Sequence, residues 1–97
     1  MTDNRVRFEI EVIGPAGSQR ICAFICSPAI EDDQPDFWTC RVGWSGPLAL
    51  ERPGFGATAL QALNLAIPLL EGLLQMRFPD AEFLMSGRPF FLKPSDQ

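Results

Sequence analysis

Apolar residues recur along this chain with two different periods. From Arg5 to Ile13, Val6, Phe8, Ile10 and Val12 alternate with Arg7, Glu9 and Glu11, which predicts a half-buried antiparallel strand. From Thr58 to Phe78 it is the polar residues that return every three or four positions, at Thr58, Gln61, Asn64, Pro68, Glu71 and Gln75. That spacing draws one narrow wet stripe on a helix and leaves the rest of its circumference apolar. Such a helix needs a broad apolar surface to lie on, and the β-patterned half before it supplies a sheet.

The ends of the helix are marked. Thr58-Ala59-Leu60-Gln61 fits a capping box, with Thr58 accepting from the Gln61 amide and the Gln61 side chain returning to the Thr58 amide. Pro53-Gly54-Phe55-Gly56 reads as a loop turning onto the sheet. Arg77 suits the last turn, and Pro79 closes the run. Pro68 removes the bond to the Asn64 carbonyl and predicts a kink, with the helix bent over a twisted sheet and Pro68 on the wet stripe.

The remaining segments fall around these two. Gly14 to Gly17 is a turn. If Ile13 and Ser18 flank a four-residue loop, Ile21, Ala23 and Ile25 of a second strand (Ser18 to Ser27) face the core. Cys22, Phe24 and Cys26 then lie outside, beside Glu9, Arg7 and Arg5. A one-residue change in that loop would exchange the two sets. Pro28 to Asp36 is an acidic loop without the glycine and distal glutamate of a calcium loop, so it reads as solvated rather than cation-binding. A third strand, Phe37 to Ser45, puts Trp38, Cys40, Val42 and Trp44 on one face and Phe37, Thr39 and Arg41 on the other. Gly46-Pro47 turns into a short fourth strand, Leu48 to Arg52. After the helix, Glu82 to Met85 and Phe90 to Leu92 flank a turn at Ser86 to Pro89 and pack along the helix or an open sheet edge, and Lys93 to Gln97 frays. The expected architecture is α+β and a single domain over residues 1–97. It is a four-stranded antiparallel meander with one long helix on one face and a short C-terminal hairpin or extended tail.

Composition narrows the function. With 46% apolar and 21% charged residues among 97, the chain is globular rather than disordered. A net charge of −4 with Lys93 as its one lysine argues against a nucleic-acid partner, which needs clustered cations. Met1 to Arg5 leads into a charged strand, not a signal-peptide core, and Gln61 and Asn64 interrupt the best apolar run well short of the ~20 residues of a membrane span. A cytoplasmic, bacterial-style protein without a membrane partner is expected. Cys22, Cys26 and Cys40 are an odd number, and the absence of histidine removes the usual zinc partner and the usual base for a thiol nucleophile. The Cys22-x3-Cys26 spacing is not a redox motif, and on a strand it holds the two thiols too far apart to bridge. All three cysteines read as small apolar fillers. Glu9 and Glu11, with Arg7 and Arg41 near them, read as edge-protecting charge. No phosphate loop, nucleophile elbow or dinucleotide fingerprint is present, so no catalytic, cofactor or metal residue is assigned.

Two stretches resemble a known pattern. Asp36-x-Trp38-x-Cys40 followed by Gly-x-x-x-Leu-Gln-Ala-Leu-x-Leu-Ala (Gly56 to Ala66) is similar to a small uncharacterised bacterial domain-of-unknown-function family over roughly Pro35 to Leu70. The family's helix cap is usually aspartate, where Thr58 stands here. The resemblance implies a compact strands-then-helix domain and carries no known activity or catalytic residues.

One helix and a short tail leave apolar surface uncovered, and the pattern places Phe24 and Phe37 on the outer sheet face beside Arg7 and Arg41, with Phe83, Phe90 and Phe91 as a further group. Mixed aromatic and arginine surface is typical of interface centres. The expectation is a noncatalytic protein-binding module of accessory or immunity type, binding through Phe24, Phe37, Arg41 and Arg7. Two alternatives stand beside it: a self-associating domain forming a homodimer, and a small thiol-dependent enzyme using Cys22, Cys26 or Cys40, which requires an acidic, accessible thiol.

Overall fold

The computed structural model describes residues 5–46 and 48–89. Strands β1 (Arg5–Gly14) and β2 (Gly17–Cys26) form a hairpin closed by the Gly14↔Gly17 pair, with Ile13 opposite Ser18. This is the register expected from a four-residue loop, and it puts Ile10, Val12, Ile21 and Ala23 into the core with Ile25 packed against them.

Strand β4 (Gln34–Ser45) is the longest and organises the sheet. Its C-terminal half pairs with β2 (Ile25↔Val42 to Cys22↔Ser45), and its N-terminal half pairs with β3 (Ala29–Glu31). Both lie along one edge of β4, because β5 (Leu50–Gly56) takes the other edge from Trp38↔Gly56 to Trp44↔Leu50. Helix α1 (Ala59–Arg77) follows, and β6 (Glu82–Met85) then adds to the far edge of β1, with β7 (Arg88–Pro89) beyond it. Among the described residues the sheet therefore has seven strands where the alternation predicts four. The meander of four survives as β1, β2, β4 and β5. The acidic segment supplies β3 across a tight turn at Asp32-Asp33, and the chain after the helix supplies the rest. Phe90 to Leu92 and the expected fraying of Lys93 to Gln97 lie outside the described residues.

Residues Pro53 to Gly56 are the last turnless stretch of β5, not a loop. Pro53 is tolerated because β5 is an edge strand among the described residues, pairing with β4 alone. The glycines serve the helix. A Cβ on Gly56 would stand 2.4 Å from the Ala62 amide nitrogen, and one on Gly54 would stand 3.4 Å from the Leu69 side chain. Side-chain-free positions on β5 facing Ala62 and Ala66 let α1 lie directly on the sheet.

The cap forms as the sequence implies. Thr58 Oγ1 accepts from the Gln61 amide at 3.1 Å, while the Gln61 side chain accepts one residue further back, from the Ala57 amide. Helical structure runs through Pro68, which is exposed on the polar stripe. The buried side of α1 is Ala62, Ala66, Leu70, Leu73 and Leu74. Beneath it lie Cys40, Val42 and Trp44 of β4. Phe78 closes the lower end, 5.9 Å from the Trp44 ring and 6.4 Å from Phe83. Trp44 is buried, its Nε1 donating to the Leu48 carbonyl at 3.0 Å, and Trp38 packs against the core from its margin. Both tryptophans are on the predicted side. Phe83, expected among the exposed aromatics, is a core residue: it stands opposite Val12, and that pairing turns its ring beneath the helix end.

Candidate interaction surfaces

The sheet face away from α1 carries the four residues that the sequence nominates. Phe24 lies there as expected, opposite Arg7 on β1 and Gly43 on β4, but it is only 5% exposed. The Arg5 guanidinium covers its ring at 4.2 Å from the centroid, a cation–π contact. The same Arg5 reaches Glu51 at 3.7 Å, and Glu51 lies 3.8 Å from Arg41. Arg41 in turn grips Glu31 with two hydrogen bonds, Nε to Oε2 at 2.9 Å and Nη2 to Oε1 at 2.8 Å. The result is a ladder of alternating charge across β1, β5, β4 and β3, closed over Phe24.

Two expectations change here. Phe24 is not open apolar surface, because Arg5 folds over it. Arg41 does not stand near Glu9 and Glu11, because β2 separates its strand from β1 and the carboxylates in reach are Glu31 and Glu51. Arg41 hydrogen bonding holds the Glu31 carboxyl below its ordinary value of 4.5, against a smaller opposing effect of burial. Phe37 is exposed and meets exposed Phe55 at 6.3 Å between ring centroids. Arg7 is exposed beside Phe24. Between these groups sits Thr39, paired across the ladder with Ala29 and Phe55 and 2% exposed, its Oγ1 buried without a hydrogen-bond partner among the described residues.

The cysteines are distributed by strand parity. Cys40 is fully buried, and its thiol donates to the Cys26 carbonyl at 3.0 Å. Burial raises the Cys40 thiol above its ordinary 9.0, and burial likewise raises Cys26, with Arg5 working in the opposite direction. A raised thiol has less thiolate at neutral pH, the reverse of an activated nucleophile.

The helix side is different in character. Six strand positions from β5 to β7 span roughly 24 Å at ~4.8 Å each, while a helix with its side chains is ~10–12 Å wide. Helix α1 lies over β5 and β4, so among the described residues nothing covers the part of the sheet near the start of β1. An apolar groove of about 300 Å³ results, lined by Val6, Phe8, Ile25, Ile67, Leu70 and Met85 together with Arg7. Val6 is 65% exposed, Ile67 49% and Met85 38%. Along the helix the apolar surface continues through Leu63 at 38% and Leu60 at 66%. Leu65 and Met76 are exposed on the opposite flank of α1.

Periodicity does not announce this surface, because an apolar helix beside a β-patterned half implies a sheet broad enough to take up all of it. The available signal was width: Thr58 to Phe78 offers far more apolar circumference than a helix seated on Ala62, Ala66 and Leu70 can bury. By length and composition alone α1 also suffices to cross a membrane, despite the polar breaks at Gln61 and Asn64.

Comparison with family models, with curated proteins and with solved structures finds no match to this chain. The resemblance over Pro35 to Leu70 rests on its motif residues, whose places are now visible. Trp38, Cys40, Gly56, Gln61, Ala62 and Ala66 build the core or seat the helix, whereas Leu60, Leu63 and Leu65 face outward.

Proposed function

We propose that this chain is a noncatalytic protein-binding module, of accessory or immunity type, working in a bacterial cytoplasm. The observation that supports the reading is the apolar surface formed by Leu60, Leu63 and Ile67 with Val6 and Met85, bordering an open groove. No charged residue occurs from Ala57 to Leu70, so the helix side of this surface can be desolvated without stranding an ion, and Arg7 among the groove residues borders it. Contiguous apolar surface of this kind marks interaction sites. The outer sheet face fits a partner less well than its residue types suggest, since Phe24 is covered and Arg41 is already held by two carboxylates.

Site-specific photocrosslinking inside cells tests the reading. A photoreactive residue at Leu63 should give a discrete crosslinked species, and one at Phe37 on the other face should not. A discrete product from Phe37 alone would move the binding site to the outer face and overturn this assignment.

A further inference from the structure

We infer that the partner presents an extended peptide, added as a strand along the edge of β1 with a cationic side chain beside Glu9; the inference rests on the docking role proposed above. The direction of the β1 backbone groups follows from its hairpin. Gly14 and Gly17 close a two-residue turn, and a pair in that position exchanges both of its hydrogen bonds. The register runs without a bulge from Gly14 to Arg5, so the bonded pairs recur at Val12, Ile10, Phe8 and Val6. The amide and carbonyl of Glu9 and Arg7, like those of Glu11 and Ile13, therefore turn to the opposite edge. Strand β6 takes that edge at Glu11 to Ile13 and no further. Its chain swings away at Ser86 and Gly87, where φ values of 55° and 79° make a tight turn. Among the described residues no strand takes up this edge before Glu11.

Two cavities meet at this notch. The apolar groove lies on the helix side, yet Arg7, whose parity is with the outer face, helps to line it. A second cavity, of about 360 Å³, lies on the outer side against Glu9, Glu11 and Arg20, yet Phe8 and Met85 of the helix side help to line it. Each holds residues of the other parity because both reach the backbone edge between them. An extended chain fits such a notch: its backbone bonds to the edge, and its alternate side chains enter the cavity on either face. A docked helix would leave the Glu9 backbone groups without protein partners. Charge sets the order of side chains. The outer cavity holds the carboxylates of Glu9 and Glu11 against the one guanidinium of Arg20, so the position opposite Glu9 favours a cation. The positions opposite Phe8 and Val6 face the groove and favour apolar residues. Read antiparallel to β1, as β6 runs, the segment is cation, apolar, any residue, apolar. A second copy of β1 does not meet this requirement, because a two-fold pairing that clears β6 sets Arg7 against itself or against Arg5.

Titration of the full isotope-labelled chain with a capped peptide of sequence Lys-Val-Thr-Val-Thr, followed by amide NMR, tests this. Millimolar peptide should shift the amide signals of Arg7 and Glu9 most and slow the exchange of the Glu9 amide with solvent. Glu9 is exposed, so Glu9→Lys should melt close to wild type. It should weaken this peptide about fivefold and strengthen its Glu-Val-Thr-Val-Thr counterpart by about the same factor, the size of a cross-strand charge pair. Should Glu9→Lys fail to fold, Glu9→Gln makes the smaller change in the same direction. The first peptide methylated at its backbone nitrogens keeps its side chains but loses its donors, and should not bind. No shift at millimolar peptide overturns the inference, as does equal binding of the methylated peptide or a preference that Glu9→Lys leaves unchanged. A Glu9 amide already slow to exchange in the peptide-free chain also overturns it, since residues 1–4 or 90–97 would then fill the edge. Shifts confined to Leu60 and Leu63 overturn strand addition but leave the docking role standing, and the crosslink from Leu63 reports on that role separately.

Discussion

Phe24 and Thr39 sit on the sheet face that the alternation of β1 marks as wet, and both are buried. Parity placed them correctly and exposure did not follow, because exposure on a sheet face depends on what long side chains do above it. Arg5 reaches across Phe24 to Glu51, and Arg41 reaches to Glu31, so their stems roof the small and apolar residues between them. Nothing in strand periodicity encodes that roof. The register it stands on was legible, since Gly14 to Gly17 admits few loops and the placement of Ile21 and Ala23 follows from it. The Glu31–Arg41 pair has a pH signature of definite sign. The folded state lowers the Glu31 pKa below 4.5, so the folded protein binds fewer protons there than the unfolded chain. Stability from this pair is present above the unfolded value and is lost as pH falls through the lower, folded one. The melting temperature of Glu31→Gln should therefore lie below wild type at neutral pH, and the gap should close in acid below about pH 4.5. A gap that widens in acid would show that the carboxylate is not held in its charged form by Arg41.

At the scale of elements, the helix was the most readable part and β5 the least. Thr58, Gln61, Arg77 and Pro79 delimit α1 to within a residue of its observed ends. The same vocabulary failed at Pro53-Gly54-Phe55-Gly56, where proline and glycine usually announce a loop. Here proline marks a strand edge and the glycines mark the approach of a helix, and only the packed structure distinguishes these uses. Two substitutions of the same kind separate the roles. Gly56→Ala drives a methyl to within 2.4 Å of the Ala62 nitrogen and 2.8 Å of its Cα, backbone atoms that cannot rotate away. It should destabilise by about 1–3 kcal/mol or more, as overpacking does. Gly72→Ala meets nothing within 4 Å in the middle of α1 and should stabilise by about 0.5–1 kcal/mol through helix propensity. Urea denaturation reads both, and equal effects would mean that α1 does not rest on β5.

At the scale of the whole molecule, the sequence specifies a meander and a helix but not how wide the finished sheet becomes. Strands β3, β6 and β7 are short, and β6 pairs with β1 across some 70 positions of sequence, a contact that no local pattern announces. Adding strands beyond β1 widens the sheet past what one helix covers, and the open groove with its apolar helix flank is the consequence. In the single chain Leu60, Leu63, Ile67 and Val6 therefore face solvent. Methyl NMR with a soluble paramagnetic agent measures this directly. These methyl groups should relax as strongly as those of Leu65 and Met76, while those of Leu70 and Leu74 do not. Protection of Leu63 and Ile67 to the level of Leu70 and Leu74 would contradict the account.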